Sequence, residues 1–270
     1  MLKIYYLCSE INPFSAASSI GSFSKEFSTI LKNNKEIDIR LTQPKYGYIS
    51  DRRFILREVI RLKDLSINFQ GENNIINLKS GFIPNTRVQV YFMEHEKYFK
   101  KTSELLYKSR NGRFYSDNSE KFTFFVKAAI ETLEKLYWIP DYIICNNWQM
   151  SMLPIIFKTL YKNAFKKTKV VFMIHEINDF YNFESSIYEK LNLEFNKKHK
   201  LQNNLISGIQ NSDYVFFFNN NDSDLSNYIN KNKEIKKSLS KVKHKVIDYS
   251  TSLDNSERIK VYNDILKTLK

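Results

Sequence analysis

Glycine is scarce in this 270-residue chain: six residues, about 2%, where a soluble domain carries roughly 7%. They are Gly21, Gly47, Gly71, Gly81, Gly112 and Gly208, and no two stand closer than ten positions. A dinucleotide-binding fingerprint needs G-x-G-x-x-G and a P-loop needs G-x-x-x-x-G-K, because only glycine lets the backbone close on a phosphate. Neither can be written with this spacing, which excludes dinucleotide binding by the usual glycine loop and Walker-type NTP hydrolysis. Long apolar runs are missing too: none approaches the ~20 residues of a membrane span. Met1–Cys8 is apolar but too short for a signal peptide, leads straight into Glu10, and reads as a buried first strand. The only cysteines, Cys8 and Cys145, sit in apolar strand-like runs, which predicts free buried thiols in a reducing cytoplasm. No Cys/His spacing suggests a metal site, and no motif calls for a cofactor.

What is present favours a large core. Hydrophobic residues make up 42% of the chain and aromatics 15%, with 17 Tyr and 21 Phe. The formal charge is +13, carried by 33 lysines but only nine arginines. With frequent asparagine and isoleucine, that mixture reflects an AT-rich genome at least as much as a basic surface. The densest run, Lys231–Lys245, holds seven lysines against Glu234 alone. Ile235, Leu239 and Val242 fall at i, i+4 and i+7, so one face of a helix there can pack. The rest is either a solvated lysine face or a polyanion-binding patch. The arginine forks and exposed stacking aromatics of a nucleic-acid reader are not clustered, so nucleic acid is not the expected partner.

Short β-rich runs alternate with longer helical patterns, the texture of a parallel α/β sheet. Strands are predicted at Lys3–Cys8, Asp38–Thr42, Val88–Met93, Tyr142–Cys145, Lys169–Ile174 and Tyr214–Phe218. Helices are predicted at Ser19–Leu31, Asp117–Leu136, Gln149–Tyr161, Lys200–Gln210 and Ser256–Leu269. In the second helix Asp117 can cap with Glu120 three residues on, and Phe122, Phe125, Ala129 and Leu133 form one face. Residues 53–82 alternate as two or three antiparallel strands inserted beside the sheet. No repeat or Pro/Gly-rich linker divides the chain, so one domain over residues 1–250 with a terminal helix in 251–270 is expected.

In open α/β sheets ligands collect at the carboxyl ends of parallel strands. Four such ends carry polar or aromatic residues. Ser9–Phe14 and the small polar run to Ser19 read as a βα loop with Ser18 or Ser19 as N-cap, or as a helix N-terminus that receives an anion. Gln43–Tyr48 reads as a turn with exposed tyrosines. Trp148, after Asn146 and Asn147, either stacks on a sugar or plugs the core. His175, ending the strand at Lys169–Ile174, is a site candidate; His95, His199 and His244 lie in charged surface patterns and receive no role. Periodicity and spacing place a site here and name no reaction.

In order along the chain, these segments resemble the N-terminal domain of bacterial glycogen and starch synthases that use ADP-glucose. The family opens on a strand, Ser-Glu-x-x-Pro-Phe, then Lys-Thr-Gly-Gly-Leu-x-Asp; Ser9, Glu10, Pro13 and Phe14 match. RLTQPKYGY at Arg40–Tyr48 is similar to the segment ending Pro-Arg-Tyr-Gly. Val90-Tyr91-Phe92 with Tyr98-Phe99 is similar to the strand and helix before Asp-Asn-x-Glu-Arg-Phe, itself matched by Asp117-Asn118-Ser119-Glu120-Lys121-Phe122. Pro140–Trp148 is similar to Pro-Asp-Ile-Ile-His-Cys-His-Asp-Trp, Phe172–His175 to the Thr-Ile-His segment, and Asn204–Val215 to a later helix–strand unit. The resemblance spans roughly residues 1–250 and implies a Rossmann-like half of a GT-B glycosyltransferase. It implies retaining α-1,4-glucosyl transfer from ADP-glucose to α-glucan, with His175 contacting the transferred glucose. Glu10 would orient the acceptor side or the loop, and Trp148, Ser18, Ser19, Asn147 and Tyr46 would line the substrate.

The departures carry equal weight. Ala16 stands where the family has its donor-contacting lysine, Ser18 and Ser19 where it has twin glycines, Ser22 where it has aspartate, and Asn146-Asn147 replace His-Asp. Side-chain bulk is thus expected where backbone would approach the nucleotide sugar. The family holds its donor mainly in a second domain, which also supplies the Arg and Lys that neutralise the leaving diphosphate. A chain of 270 residues leaves no room for that domain. The expectation is a domain not active alone, needing a separate chain for the second half, or a catalytically silent glucan-binding or regulatory module.

Overall fold

The computed structural model describes residues 1–193, 203–219, 224–250 and 252–269. Strand β1 (Leu2–Leu7) leads to helix α1 (Ser19–Asn33) and β2 (Ile37–Pro44), then to the short helix α2 (Asp51–Phe54) and strands β3 (Arg57–Glu58), β4 (Leu65–Phe69), β5 (Glu72–Phe82) and β6 (Gln89–Glu94). Helix α3 (Asn118–Lys135), β7 (Tyr142–Asn146), α4 (Leu153–Ile156), β8 (Lys169–Ile174), α5 (Ser185–Glu189), α6 (Asn203–Asn211) and β9 (Tyr214–Asn219) follow. The chain closes with α7 (Leu225–Lys231), α8 (Lys233–Leu239), β10 (Lys243–Asp248) and α9 (Asn255–Leu269).

The strands form one sheet in the order β10-β9-β8-β7-β1-β2-β6-β5-β3, with β4 paired to β5. From β10 to β6 every pairing is parallel, and β3, β4 and β5 add the expected antiparallel insertion. The insertion turns at Gln70-Gly71, both at positive φ, as a two-residue hairpin with right-handed twist requires. Val170 through Ile174 are all buried, as a central parallel strand covered on both faces must be.

Helices cover both faces. On one, α1 buries Ile20, Phe23, Phe27 and Leu31 and packs beside α9. On the other, α3, α4, α6 and α8 pack in sequence. Helix α3 is buried nearly all round because the insertion covers its outer side; Phe124 meets Phe69 of β4 with ring centroids 5.4 Å apart. Helix α9 belongs to the core: Tyr262 and Ile265 are fully buried, and Arg258 pairs with Glu26 of α1 at 2.8 Å.

Several expectations change. The helix expected over Gln149–Tyr161 is broken into a 3-10 turn (Trp148–Met150), α4 and a π turn (Phe157–Tyr161), with Pro154 in its first turn. Asp117 precedes α3 without capping it, and Glu120 instead accepts from Tyr98 Oη and Lys97 Nζ. The lysine run does not continue as one helix: α8 ends at Leu239 and β10 begins at Lys243. His95 is buried; its Nδ1 accepts from the Tyr98 N–H at 3.3 Å and caps a π turn (Glu96–Lys100). The first part of the helix expected over Lys200–Gln210, and His199, lie outside the described residues.

Chain reversals show two different demands for glycine. A Cβ on Gly47 would lie 2.0 Å from the Lys100 carbonyl oxygen, whereas Gly112 has open space but φ +79°. Gly47→Ala is expected to cost about 3 kcal/mol through backbone displacement, and Gly112→Ala about 1 kcal/mol through conformational strain. Urea midpoints of the two variants measure the difference, and equal losses would refute the assignment.

Candidate functional site

The chain leaves β1 for β2 on one side and later returns to β7 on the other, so the carboxyl ends of β1 and β7 flank a topological switch point. Glu10, three residues past β1, is fully buried there. Its Oε2 accepts the Ala17 N–H at 2.5 Å and the Ser18 N–H at 2.9 Å; its Oε1 accepts the Ser18 hydroxyl at 2.8 Å and the Tyr107 hydroxyl at 2.7 Å. The carboxylate therefore occupies the N-terminus of α1, where free N–H groups and the helix dipole favour an anion. Ser18 is the N-cap and also accepts the Ile20 N–H at 3.3 Å. Burial outweighs these donors and holds the Glu10 carboxyl above the usual carboxylate range. Tyr107, pushed far up by burial, stays a donor.

Tight packing makes this geometry. The Asn12 N–H donates to the Gly21 carbonyl at 3.0 Å, and a Cβ on Gly21 would come within 2.9 Å of the Ser15 carbonyl oxygen. Glycine at 21 thus lets the loop lie on the first turn of α1. The side chains of Ala16, Ala17, Ser18 and Ser19 are exposed along its outer rim.

His175, just past β8, is placed by Asn147, whose Oδ1 accepts the His175 N–H at 2.6 Å. Its ring stacks on Phe218 (4.3 Å, 5°) and meets Phe23 edge-on at 4.5 Å. Nε2 lies 3.3 Å from Asn146 Oδ1. That oxygen also accepts from Tyr6, while Asn146 Nδ2 donates to the Leu7 carbonyl, so the amide orientation is set. This network assigns the proton to Nε2 and leaves Nδ1 an acceptor. Burial pushes the imidazole pKa down to about 3, so the ring is neutral at physiological pH. Asn147 has φ +51°, and its Nδ2 donates to Glu176 Oε1 at 3.3 Å. Burial raises the Glu176 carboxyl, and the charge of Glu10 raises it further, against Asn178, Lys108 and Asn147.

Glu10 and Ser18 thus lie past β1, and Asn147 and His175 past β7 and β8, at the carboxyl edge of three neighbouring strands, with Ser19 exposed. Trp148 and Tyr46 lie beneath that edge. Trp148 is buried, with Tyr107, Phe122 and Phe180 rings 5.4, 5.5 and 5.6 Å away, so it plugs the core. Tyr46 is buried rather than exposed, because its hydroxyl reaches back to the Ser9 carbonyl at 2.8 Å, and Tyr48 is half-buried beside it. Sequence reasoning passed over Tyr107 and gave Glu176, beside His175, no role of its own. Tyr107 lies in a small hairpin with Tyr115 that has no hydrophobic period, whereas Glu176 directly follows His175. Among the described residues, no group of His, Cys, Asp and Glu is arranged to hold a metal ion.

The depressed His175 pKa has a pH consequence. Between about pH 6.5 and 3 the unfolded chain binds a proton there that the folded chain refuses, so stability falls as pH falls through that window. From pH 7 to pH 5 this residue contributes a loss of about 2 kcal/mol. Urea unfolding of the protein and of His175→Gln at both pH values isolates it, and an unchanged pH dependence in the variant would contradict the buried neutral ring.

Comparison with known proteins agrees with this architecture. Residues 3–219 match the starch synthase catalytic domain family. A glycogen synthase of Chlorobium luteolum is 33% identical over 220 residues, covering 79% of this chain and 45% of that protein. A glycogen synthase of Chlorobium limicola is 34% identical over 177 residues, covering 65% and 36%. The chain thus spans less than half the length of these relatives. By structure, it superposes on the catalytic domain of starch synthase IV from Arabidopsis thaliana, solved with ADP and acarbose. The TM-score is 0.72 at 18% identity, covering 92% of this chain and 51% of that one, a likeness of fold. The match over residues 3–219 and the identity to these glycogen synthases place this chain in the starch synthase catalytic domain family.

Proposed function

We propose that this chain is the acceptor-side half of a glycogen/starch-synthase-like glycosyltransferase of storage-glucan metabolism in the cytoplasm. In this reading it holds α-glucan over the ends of β1, β7 and β8 and does not by itself transfer glucose from ADP-glucose. The observation that carries the reading is the state of the α1 N-terminus: the N–H groups of Ala17 and Ser18 are already taken by Glu10. A donor phosphate seeking those amides would have to displace a buried carboxylate with four donors, and Ala16 offers no cation to help. The charges of Glu10 and Glu176, already unfavourable to one another, would also oppose a diphosphate.

A neutral glucan suits the same groups. The Glu176 carboxylate accepts sugar hydroxyls, and the neutral His175 offers Nδ1 as a further acceptor. Here His175 contacts the glucose, Glu10 orients the loop, and Asn147 positions His175 and Glu176. Ser18 and Ser19 present the rim, while Trp148 and Tyr46 pack the floor. Retaining transfer from ADP-glucose additionally requires cations at the leaving diphosphate, which the family resemblance places on a second domain. The transferase reading needs that second half.

Co-sedimentation with glycogen tests the first half of the proposal and transfer of labelled glucose from ADP-glucose the second. The protein is expected to pellet with glycogen, Asn147→Ala to weaken retention at least fivefold, and transfer by the purified chain to stay at background. Failure to pellet overturns the glucan site. Turnover by the chain alone overturns its dependence on a second half.

A further inference from the structure

The opposite end of the sheet carries a different chemistry. Beneath the N-terminal ends of β7, β8, β9 and β10 lies a cleft of about 1050 Å³, the scale of a small-molecule site. Six lysines line it: Lys158 from the π turn after α4, Lys169 at the start of β8, Lys233 and Lys237 from α8, Lys241, and Lys243 at the start of β10. Lys233 and Lys237 stand four residues apart on α8 and Lys241 follows just past its end, while Ile235 and Leu239 of the helix are buried in the core. Like charges at that spacing repel.

The lysines outnumber the carboxylates of the lining by six to two. Among the described residues, none of the six lysines forms an ion pair, although Lys245 of the same run pairs with Asp264. Two carboxylates share the lining. Asp213 is engaged by β8, its Oδ2 accepting the Val170 N–H at 2.8 Å, and Glu234 sits in the first turn of α8. The carbonyl of Leu269, at the α9 end bordering the cleft, is taken by the Tyr142 hydroxyl at 2.5 Å. Tyr142 and Tyr214, both half-buried, add ring surface between the cations, and the Lys169 ammonium lies 5.7 Å from the Tyr142 ring centroid.

We propose that this cleft binds a compact phosphate ester bearing two or more negative phosphoryl charges, with the lysines on its oxygens and the tyrosines against its carbon skeleton. Lysine supplies point charges rather than the planar fork of arginine, so the site accepts phosphoryl groups in varied orientations. The six lysines line one concavity, which favours a small ester over a polynucleotide. The site lies away from the crevice of β1 and β7 and does not depend on the glucan reading.

Titration calorimetry at about 50 mM salt tests the proposal with pyrophosphate, fructose 1,6-bisphosphate, ADP and a 20-base-pair DNA duplex as probes. Pyrophosphate and at least one ester are expected to bind saturably at one site. The bisphosphate and ADP arms distinguish a sugar-phosphate source from a nucleotide source. Lys237→Ala/Lys241→Ala, changed only at exposed positions, should weaken binding tenfold or more, whereas His175→Gln should leave it within twofold. No saturable ester binding, binding unchanged in the lysine variant, or binding lost in His175→Gln would overturn the assignment. Steeply salt-dependent binding of the duplex without ester binding would also overturn it and make the run a nucleic-acid patch.

Discussion

A carboxylate buried without partners costs several kcal/mol, so a chain that buries one must build around it. Glu10 is that residue here. Its four donors come from the loop after β1, the cap of α1 and the hairpin at Tyr107. Meeting them folds Ile11–Ala17 back over α1, which Gly21 permits by lacking a side chain. It also pulls Tyr107 inward, and the Tyr107 ring becomes one wall of the aromatic cluster that seats Trp148. The ends of β1 and β7 are thus coupled through one anion, and the crevice owes its shape to that coupling.

Charge is distributed unevenly between the two ends of the sheet. The chain is strongly basic, yet the crevice above the carboxyl ends is built from two carboxyls, two asparagines and a neutral imidazole. The surplus of lysine gathers instead under the amino ends, on α8 and the starts of β8 and β10. A basic composition alone therefore says little about what this protein binds. Local desolvation decides: burial removes charge from His175, whereas Lys233, Lys237, Lys241 and Lys243 stay exposed to water.

Much of the fold was legible in the sequence because central parallel strands are apolar throughout and need no tertiary information to recognise. Lys169–Ile174 forms as expected, and other strands shift by only a residue or two at their ends. Strand β10 escaped because it is an edge strand, Lys-His-Lys-Val-Ile-Asp, whose lysines guard an open edge and mask its pairing with β9. The segment after Trp148 has helical period but is broken by packing demands that periodicity does not carry. For the site, residue identities and strand ends located Glu10, Asn147 and His175 in one place. Partners in space stayed hidden: Phe23 and Phe218 around His175, Tyr107 on Glu10, and the reach of Tyr46 beneath the loop.

That distinction changes the meaning of the missing glycines. From the sequence, serines at 18 and 19 place bulk where backbone should approach a phosphate. In the fold both side chains lie on the exposed rim, and the Ser18 hydroxyl turns back to Glu10 as one of its four donors. Glycine at these positions would offer the same backbone N–H groups, and those of Ala17 and Ser18 are already committed. Under the proposed reading, the obstacle to an anion is occupancy rather than bulk. It originates in Glu10, a residue that also matches the family pattern, and in the absence of a cation at Ala16 that could favour an external phosphate over the internal carboxylate. On that reading the electrostatics of the buried anion, more than the missing glycines, govern what the loop accepts.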